Sequence, residues 1–335
     1  MVYNKYIGII GGTGTIGSII VKYLLQLQTH FHVLIGGRRS IKEISMSTFY
    51  NSERLKYNQM NYNNDVELDN FCSQCLLVIN AVGPSFKIND KIALHALRNN
   101  CHYIDIGGYG ILRDLLKPYE KSIEAQKLCF IIGVGWMPGI SGVFSKTIIE
   151  THLNSPENTN FNIYYGAVDN WSYSSTYDLA ASSMGKTHSY VYSHGKEIQV
   201  SPFRYTHHKF FPFIGHKKIC MPSFDEQLTQ LATSLKQIRK ISTFIMLNDY
   251  ISMGKFMFIK IFYKHNLNKA TLMLQDDYQR LVKKENKWGS VICQVSKIEP
   301  ERKIDTFYYL YTKNNLLYTA LPAVITTPVS YTHLR

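Results

Sequence analysis

Gly12, Gly14 and Gly17 stand at the spacing G-x-G-x-x-G. They lie between an apolar stretch, Tyr6 to Ile10, and a segment with helical apolar spacing, Thr15 to Leu27. Strand, glycine turn and helix in that order form the context in which this spacing cradles a dinucleotide. Gly12 is expected to permit the tight turn, Gly14 to let the backbone approach a pyrophosphate, and Gly17 to let the helix sit close to the strand. The pyrophosphate would rest on the free N–H groups and the positive end of the helix. Gly11, Gly12, Thr13, Gly14, Thr15, Ile16 and Gly17 are therefore candidate cofactor-binding residues.

A second apolar stretch, Phe31 to Ile35, ends in Gly36-Gly37-Arg38-Arg39-Ser40. A site for NAD(H) usually carries Asp or Glu there, about 20 residues past the glycines, to bind the ribose 2′-OH. Here glycines occupy those positions and two arginines follow. A carboxylate would repel a 2′-phosphate, whereas a guanidinium binds one through charge-assisted, often bidentate, hydrogen bonds. The expected cofactor is NADP(H) rather than NAD(H), with Arg38 as the main contact and Arg39 and Ser40 assisting. A solvated loop end is the alternative reading of the two arginines.

Three further apolar stretches end in polar or glycine-rich tips: Leu76 to Pro84, His102 to Gly108 and Cys129 to Gly139. Helical segments, Asp90 to Arg98 and Tyr119 to Gln126, lie between them. This alternation gives the α/β class, a Rossmann-type doubly wound parallel sheet. In such a sheet ligands bind beyond the carboxyl ends of the strands. Asn80, Ala81, Val82, Gly83 and Pro84 thus join the cofactor candidates, and Phe86, Trp136, Pro138 and Gly139 are candidates for substrate contact. Hydride transfer is the cofactor's reaction, and the protein supplies position and a proton. Asp105 and Tyr109, past a strand tip, are the first candidates for that proton. The competing reading of Asp105 is an acceptor for local backbone N–H groups.

The chain has 335 residues, enough for two domains with a sizeable core, and its 45% hydrophobic content argues against disorder. Six cysteines are scattered along it, which reads as reduced thiols in a cytoplasmic protein rather than a disulfide scaffold. Cys72 and Cys75 form a C-x-x-C pair, but no second pair completes a zinc site. A strand starting at Tyr6 leaves no room for a signal peptide. The net charge of +13 is spread without a long basic run, so it reads as surface bias that favours anionic ligands rather than nucleic acid. The apolar segment Ile241 to Tyr263 is interrupted by Asn248, Asp249, Lys255 and Lys260. That pattern predicts a buried helix or helix pair rather than a membrane span, with peripheral membrane contact as the lesser alternative.

Beyond residue 150 the pattern predicts a strand at Phe161 to Val168, a polar turn to Ser175 and a helix from Thr176 to Met184. Further strands are expected at Lys269 to Leu274 and Val291 to Val295. Tyr308 to Tyr311 and Leu316 to Ala323 would close the fold. Tyr173, Tyr177, Asp178 and His188 are secondary candidates for chemistry, and Arg204 for a carboxylate clamp. His207, His208 and His216 lack partners at metal-ligand spacing, so no metal is expected.

Val78-Ile79-Asn80-Ala81-Val82-Gly83-Pro84, then Cys101-His102-Tyr103-Ile104-Asp105, then Gly135-Trp136-Met137-Pro138-Gly139 resemble the saccharopine dehydrogenase-like oxidoreductases. That family shows an N-A-x-G-P strand end, a helix, an H-Y-x-D strand and a later G-x-x-P-G turn. Ser174-Ser175-Thr176 stands where related proteins often have S-G-T. The resemblance covers about the first 150 residues. It implies an NADP-binding Rossmann domain over 1–150, a second α+β substrate and dimerisation domain inserted before the C-terminus over 151–305, and a return to the first domain over 306–329. It also implies a homodimer and a small-molecule substrate. The implied reaction is hydride transfer to the C=N bond of an imine between an amino acid and a 2-oxo acid, or enoyl or carbonyl reduction. A non-catalytic NADP-binding sensor or scaffold is the competing class. Ser330 to Arg335 resemble a translated adapter tail and are expected to be non-native.

Overall fold

A computed structural model describes residues 6–27, 31–40, 52–108, 110–153, 156–184, 189–263 and 265–333. The chain divides into two compact units, one of Met1–Ile140 with Leu316–Arg335, the other of Ser141–Asn315. The boundaries thus fall at residues 140 and 315, where the sequence reading had 150 and 305.

The first unit runs β1 (Tyr6–Ile10), α1 (Thr15–Gln26), β2 (Val33–Gly37), β3 (Leu55–Gln59), α2 (Asp65–Cys72), β4 (Cys75–Asn80), α3 (Ser85–Ile88), α4 (Lys91–Arg98), β5 (His102–Asp105), α5 (Gly110–Leu116), α6 (Glu120–Ala125) and β6 (Phe130–Ile132). The six strands form one parallel sheet in the order β3-β2-β1-β4-β5-β6. This is the doubly wound order, in which the chain reverses direction across β1 and β4. Both faces of the sheet are covered, which is why β1 and β4 read as near-continuous apolar runs. On one face Ile7, Ile9, Ile35 and Ile79 pack with Ile20 and Leu24 of α1. On the other, Ile10, Leu34 and Val78 pack with Phe71 of α2 and Ile92 of α4. Cys72, Cys75 and Cys101 are buried free thiols on that second face, and the Cys101 thiol donates to the Cys72 and Cys75 carbonyls at 3.1 and 3.2 Å.

The second unit runs α7 (Ile140–His152), β7 (Thr159–Val168), α8 (Tyr173–Met184), β8 (Ser189–Ser193), β9 (Lys196–Val200), α9 (Pro202–Tyr205), β10 (His207–Phe211), β11 (His216–Pro222), α10 (Glu226–Ser234), β12 (Lys240–Leu247), α11 (Tyr250–Phe262), α12 (Leu267–Lys284), β13 (Trp288–Ile298) and β14 (Lys303–Thr312). Its sheet has the order β10-β11-β12-β7-β13-β14, with β8 on β12 and β9 on β8. Among the described residues of this sheet only β12 and β7 pair in parallel. The last helix, α13 (Asn315–His333), carries the chain back, and its Ala320, Ala323 and Val324 lie in the α1-side core of the first unit.

Several expectations are corrected here. Lys269 to Leu274 is not a strand but part of α12, whose buried Ala270, Leu274, Asp277 and Leu281 follow helical spacing behind an Asn266 cap. Tyr308 to Tyr311 does not return to the first unit. It lies in β14, which pairs along its whole length with β13. The segment 241–263 is not a buried helix pair; its first part is the central strand β12 and its second part is α11. Ser330 to His333 form the last turn of α13, which leaves their reading as a non-native tail untested, and 334–335 lie outside the described residues.

Candidate functional site

The glycine turn is built by close backbone approach. Gly11, at φ +82°, takes the left-handed conformation that lets β1 turn, so the freedom assigned to Gly12 belongs to its neighbour. A Cβ on Gly12 would instead lie 2.8 Å from Ile35 of β2. A Cβ on Gly17 would lie 2.2 Å from the Gly11 carbonyl oxygen, so only glycine lets α1 lie on the turn. Gly14 caps α1 with no side chain, and the first turn of α1 carries no acidic residue. The N–H groups of that turn have no partners within the helix. Gly14 and Thr15 are exposed, and a Cβ on Gly14 would meet only the Gly11 oxygen, at 3.1 Å. This cradle of bare backbone and helix dipole fits a pyrophosphate.

The end of β2 sets the second contact. Gly36 faces Met60 and Phe71, so a side chain there would enter the core. Gly37 faces the turn: its Cβ would lie 3.4 Å from the Thr13 hydroxyl. That is where a ribose-binding carboxylate would stand, and glycine removes it. Arg38 and Arg39 are exposed beyond it. The Arg39 guanidinium donates to the Thr13 carbonyl at 2.6 Å, tying this loop to the glycine turn. Arg38 is held through its carbonyl, which accepts from Gln59 at 3.3 Å. The Tyr57 hydroxyl donates to the carbonyls of Gly37 and Arg39. Sequence reasoning missed Tyr57 and Gln59, since β3 is a half-polar strand without clear alternation.

The tips of β1, β4, β5 and β6 converge. The Ala81 N–H donates to the Ile10 carbonyl at 2.9 Å, and a Cβ on Gly11 would lie 3.0 Å from both Ala81 and Val82. Gly83–Pro84 and Met137–Pro138 are cis peptides. Ser85 sits against Gly107, Gly108 against Gly133, and Gly133 against Pro138. Trp136 meets Tyr318 of α13 edge to face, 5.7 Å between centroids. Gly139 closes back on Gly135, leaving no room for a side chain. Phe86 is half-buried in α3.

Asp105 is buried at the centre of this convergence. One oxygen accepts from the Asn80 side chain at 2.8 Å and the Tyr103 hydroxyl at 2.6 Å; the other accepts from the Gly108 N–H at 2.6 Å. Asn80 in turn accepts from the Val82 N–H at 3.0 Å. Burial raises the Asp105 carboxyl above its ordinary pKa, and the bonds from Tyr103, Asn80 and the Gly108 and Gly107 N–H groups only partly offset this. Burial first, and then the Asp105 charge, raises the Tyr103 hydroxyl. Tyr109, the other proton candidate, and His188 lie outside the described residues. In the second unit the Tyr173 hydroxyl donates to Asn268 at 2.8 Å, Tyr177 and Asp178 are buried, and Arg204 is exposed on α9.

Sheet order and glycine cradle together define a dinucleotide-binding Rossmann domain. Residues 7–129 match the family described as the saccharopine dehydrogenase NADP binding domain, so this part of the chain is similar to that domain. Among solved structures, the chain is similar to an apo histidine-tagged saccharopine dehydrogenase (L-Glu forming) from Saccharomyces cerevisiae. The identity is 14%, coverage is 98% of this chain and 92% of that one, and the TM-score is 0.66, so the two share a fold. Remoter similarity, at a TM-score of 0.47 and 10% identity over 95% of this chain and 86% of that one, links it to C. glutamicum DAP dehydrogenase in complex with DAP. A putative myo-inositol dehydrogenase from Sinorhizobium meliloti 1021 gives 0.48 and 8% over 98% and 89%. No curated protein sequence matches the chain.

Proposed function

We propose that the protein is an NADP(H)-dependent oxidoreductase that transfers hydride to the C=N bond of an imine between an amino acid and a 2-oxo acid. The observation that carries the cofactor is the end of β2: Gly37 bears no carboxylate, and Arg38 and Arg39 follow beside the pyrophosphate cradle. Arg39 is already bonded to Thr13, so Arg38 is the residue assigned to the 2′-phosphate. The C=N chemistry rests on the likeness to saccharopine dehydrogenase. A homodimer and a cytoplasmic location belong to the same reading, from the family resemblance and the scattered thiols. NADP(H) supplies the hydride; Asn80 to Pro84 hold the wall beside it, and Trp136 to Gly139 face the substrate.

Fluorescence titration with NADPH and NADH tests the cofactor. NADPH is expected to bind about 10- to 100-fold more tightly, and Arg38→Ala to remove most of that preference while sparing NADH. Equal affinities in the unaltered protein would refute the assignment. Turnover of NADPH with pairs of amino acid and 2-oxo acid tests the reaction. Turnover with an enoyl thioester alone would move the assignment to C=C reduction, and tight binding without any turnover would favour the sensor reading.

A further inference from the structure

Helix α11 spans thirteen residues, Tyr250–Phe262. Its inner side is settled: Ser252, Phe256 and Ile259 are buried in the second unit. Its outer side is not polar. Tyr250, Ile251, Gly254, Phe258, Ile261 and Phe262 are the exposed residues of this helix, with Ile261 at 65% and Phe262 at 66%. At about 100° per residue these six fall within an arc of about 120°, opposite the buried three. No charged residue enters the arc. Lys255 lies about 20° beyond one edge, Met257 and Met253 lie beyond the other, with Lys260 about 80° away behind them, and a Cβ on Gly254 would meet nothing. Leu272 of α12 is likewise exposed. Single exposed apolar side chains are ordinary in soluble proteins, but a contiguous stripe of this kind marks a contact surface.

The acidic groups beside the helix are paired: Asp249 with Arg280 at 2.7 Å, Asp276 with Lys255 at 2.8 Å, and the buried Asp277 with Arg280 at 2.9 Å and Lys255 at 3.4 Å. Lys260 lies over the Phe256 ring at 5.3 Å, and Lys269 and His265 are exposed just beyond the helix. The chain as a whole carries +13.

We propose that α11 docks the protein on an anionic lipid surface, lying in the interface with Ile251, Phe258, Ile261 and Phe262 inserted and Lys269 at headgroup level. Thirteen residues make a helix of about 20 Å, too short for a hydrocarbon core of about 30 Å. Among the described residues no helix is long and apolar enough to cross a membrane. The fit is to a helix lying in the plane of the interface, whose binding combines apolar insertion with attraction to anionic lipid. A second copy of the chain fits less well. The stripe's six exposed residues fall well short of the roughly 20–30 residues a side of a stable interface.

The test is flotation of the full chain with vesicles of phosphatidylcholine containing about 30% phosphatidylserine, beside vesicles of phosphatidylcholine alone. The protein is expected to float with the anionic vesicles, and less so as salt is raised toward about 1 M. The triple variant Phe258→Ser, Ile261→Ser, Phe262→Ser is expected to lose at least about tenfold in binding while its NADPH titration stays unchanged. Ile261→Trp keeps the stripe apolar and gives a second reading: its emission should shift to the blue on adding anionic vesicles, whereas Ile198→Trp on β9 should not shift. Absence of flotation, equal flotation of the triple variant, or no shift at position 261 overturns the proposal. Self-association that the triple variant abolishes, with no vesicle binding, also overturns it and assigns the stripe to a second copy.

Discussion

At the scale of single residues, Gly14 and Gly17 separate two demands that the motif merges. Gly17 is needed by the fold: a methyl there would sit 2.2 Å from a backbone oxygen that has no rotamer to escape through. Gly17→Ala is expected to destabilise the first unit by about 2–4 kcal/mol and to weaken NADPH binding with it. Gly14→Ala meets one backbone atom at 3.1 Å, so its stability should fall only slightly, by about 1 kcal/mol for a poorer cap. Its NADPH affinity should nevertheless fall at least about tenfold, because the methyl stands on the exposed side that a pyrophosphate approaches. Thermal unfolding and NADPH titration on both variants check this; parallel losses would contradict it. Asp105 poses a similar question of role. Both its oxygens accept hydrogen bonds inside the strand-tip network, so Asp105→Asn turns an amide donor toward groups that already donate. As a positioning residue it should lose about 1–3 kcal/mol of stability, with its pH–rate profile unchanged apart from amplitude. If Asp105 delivers the proton instead, the midpoint holds while one limb of the pH–rate profile disappears.

At the scale of elements, the tie between α11 and α12 makes a pH-dependent prediction. Asp249 caps α11 by accepting from the Ser252 N–H at 2.8 Å, and Arg280 of α12 grips its two oxygens at 2.7 and 2.9 Å. Burial alone would raise the Asp249 carboxyl, but the bonds from Arg280 and Ser252 outweigh it and hold the pKa at about 2. A folded-state pKa below the unfolded value stabilises the fold above about pH 4, and the effect is lost as pH falls toward about 2. The stability gap between the unaltered protein and Asp249→Asn should therefore be constant near neutrality and shrink below about pH 4. Asp249→Ala should cost about 1 kcal/mol more than the Asn variant, since Asn still caps. Chemical denaturation across pH 3 to 7 would show it. These elements also show where sequence reading succeeds. The β1 turn, α1 and the end of β2 were legible because their signals are local: glycine spacing, helical periodicity and a pair of arginines within a few residues of each other. The Asn80–Asp105–Tyr103 network was not, because it joins two strands whose register no local pattern reveals. Residues 241–263 misled for another reason. β12 is apolar because it is central in its sheet, and α11 is apolar on its exposed side as well, so neither shows the one-sided pattern that marks an element's boundary.

At the scale of the whole molecule, the first unit is made from both ends of the chain. Ala320, Ala323 and Val324 of α13 share a core with Ile7, Ile9 and Leu24, and the entire second unit intervenes in sequence. Such contacts close only after a long loop has been ordered, so the nucleotide site depends on residues that no motif around Gly12 would implicate. Ala323 is wholly buried. Ala323→Asp would place an unpaired carboxylate in that core and is expected to cost more than about 3 kcal/mol. NADPH binding should fall with it, although position 323 is no candidate for touching the cofactor. Ligand linkage distinguishes the two causes. At NADPH about 100 times its Kd, binding returns about 2.7 kcal/mol to the folded state. A variant weakened only in folding should then recover a cooperative thermal transition and NADPH saturation, which a variant damaged in the cradle itself, such as Gly14→Ala, should not. Failure of Ala323→Asp to affect either stability or NADPH binding would show that α13 is dispensable to the site.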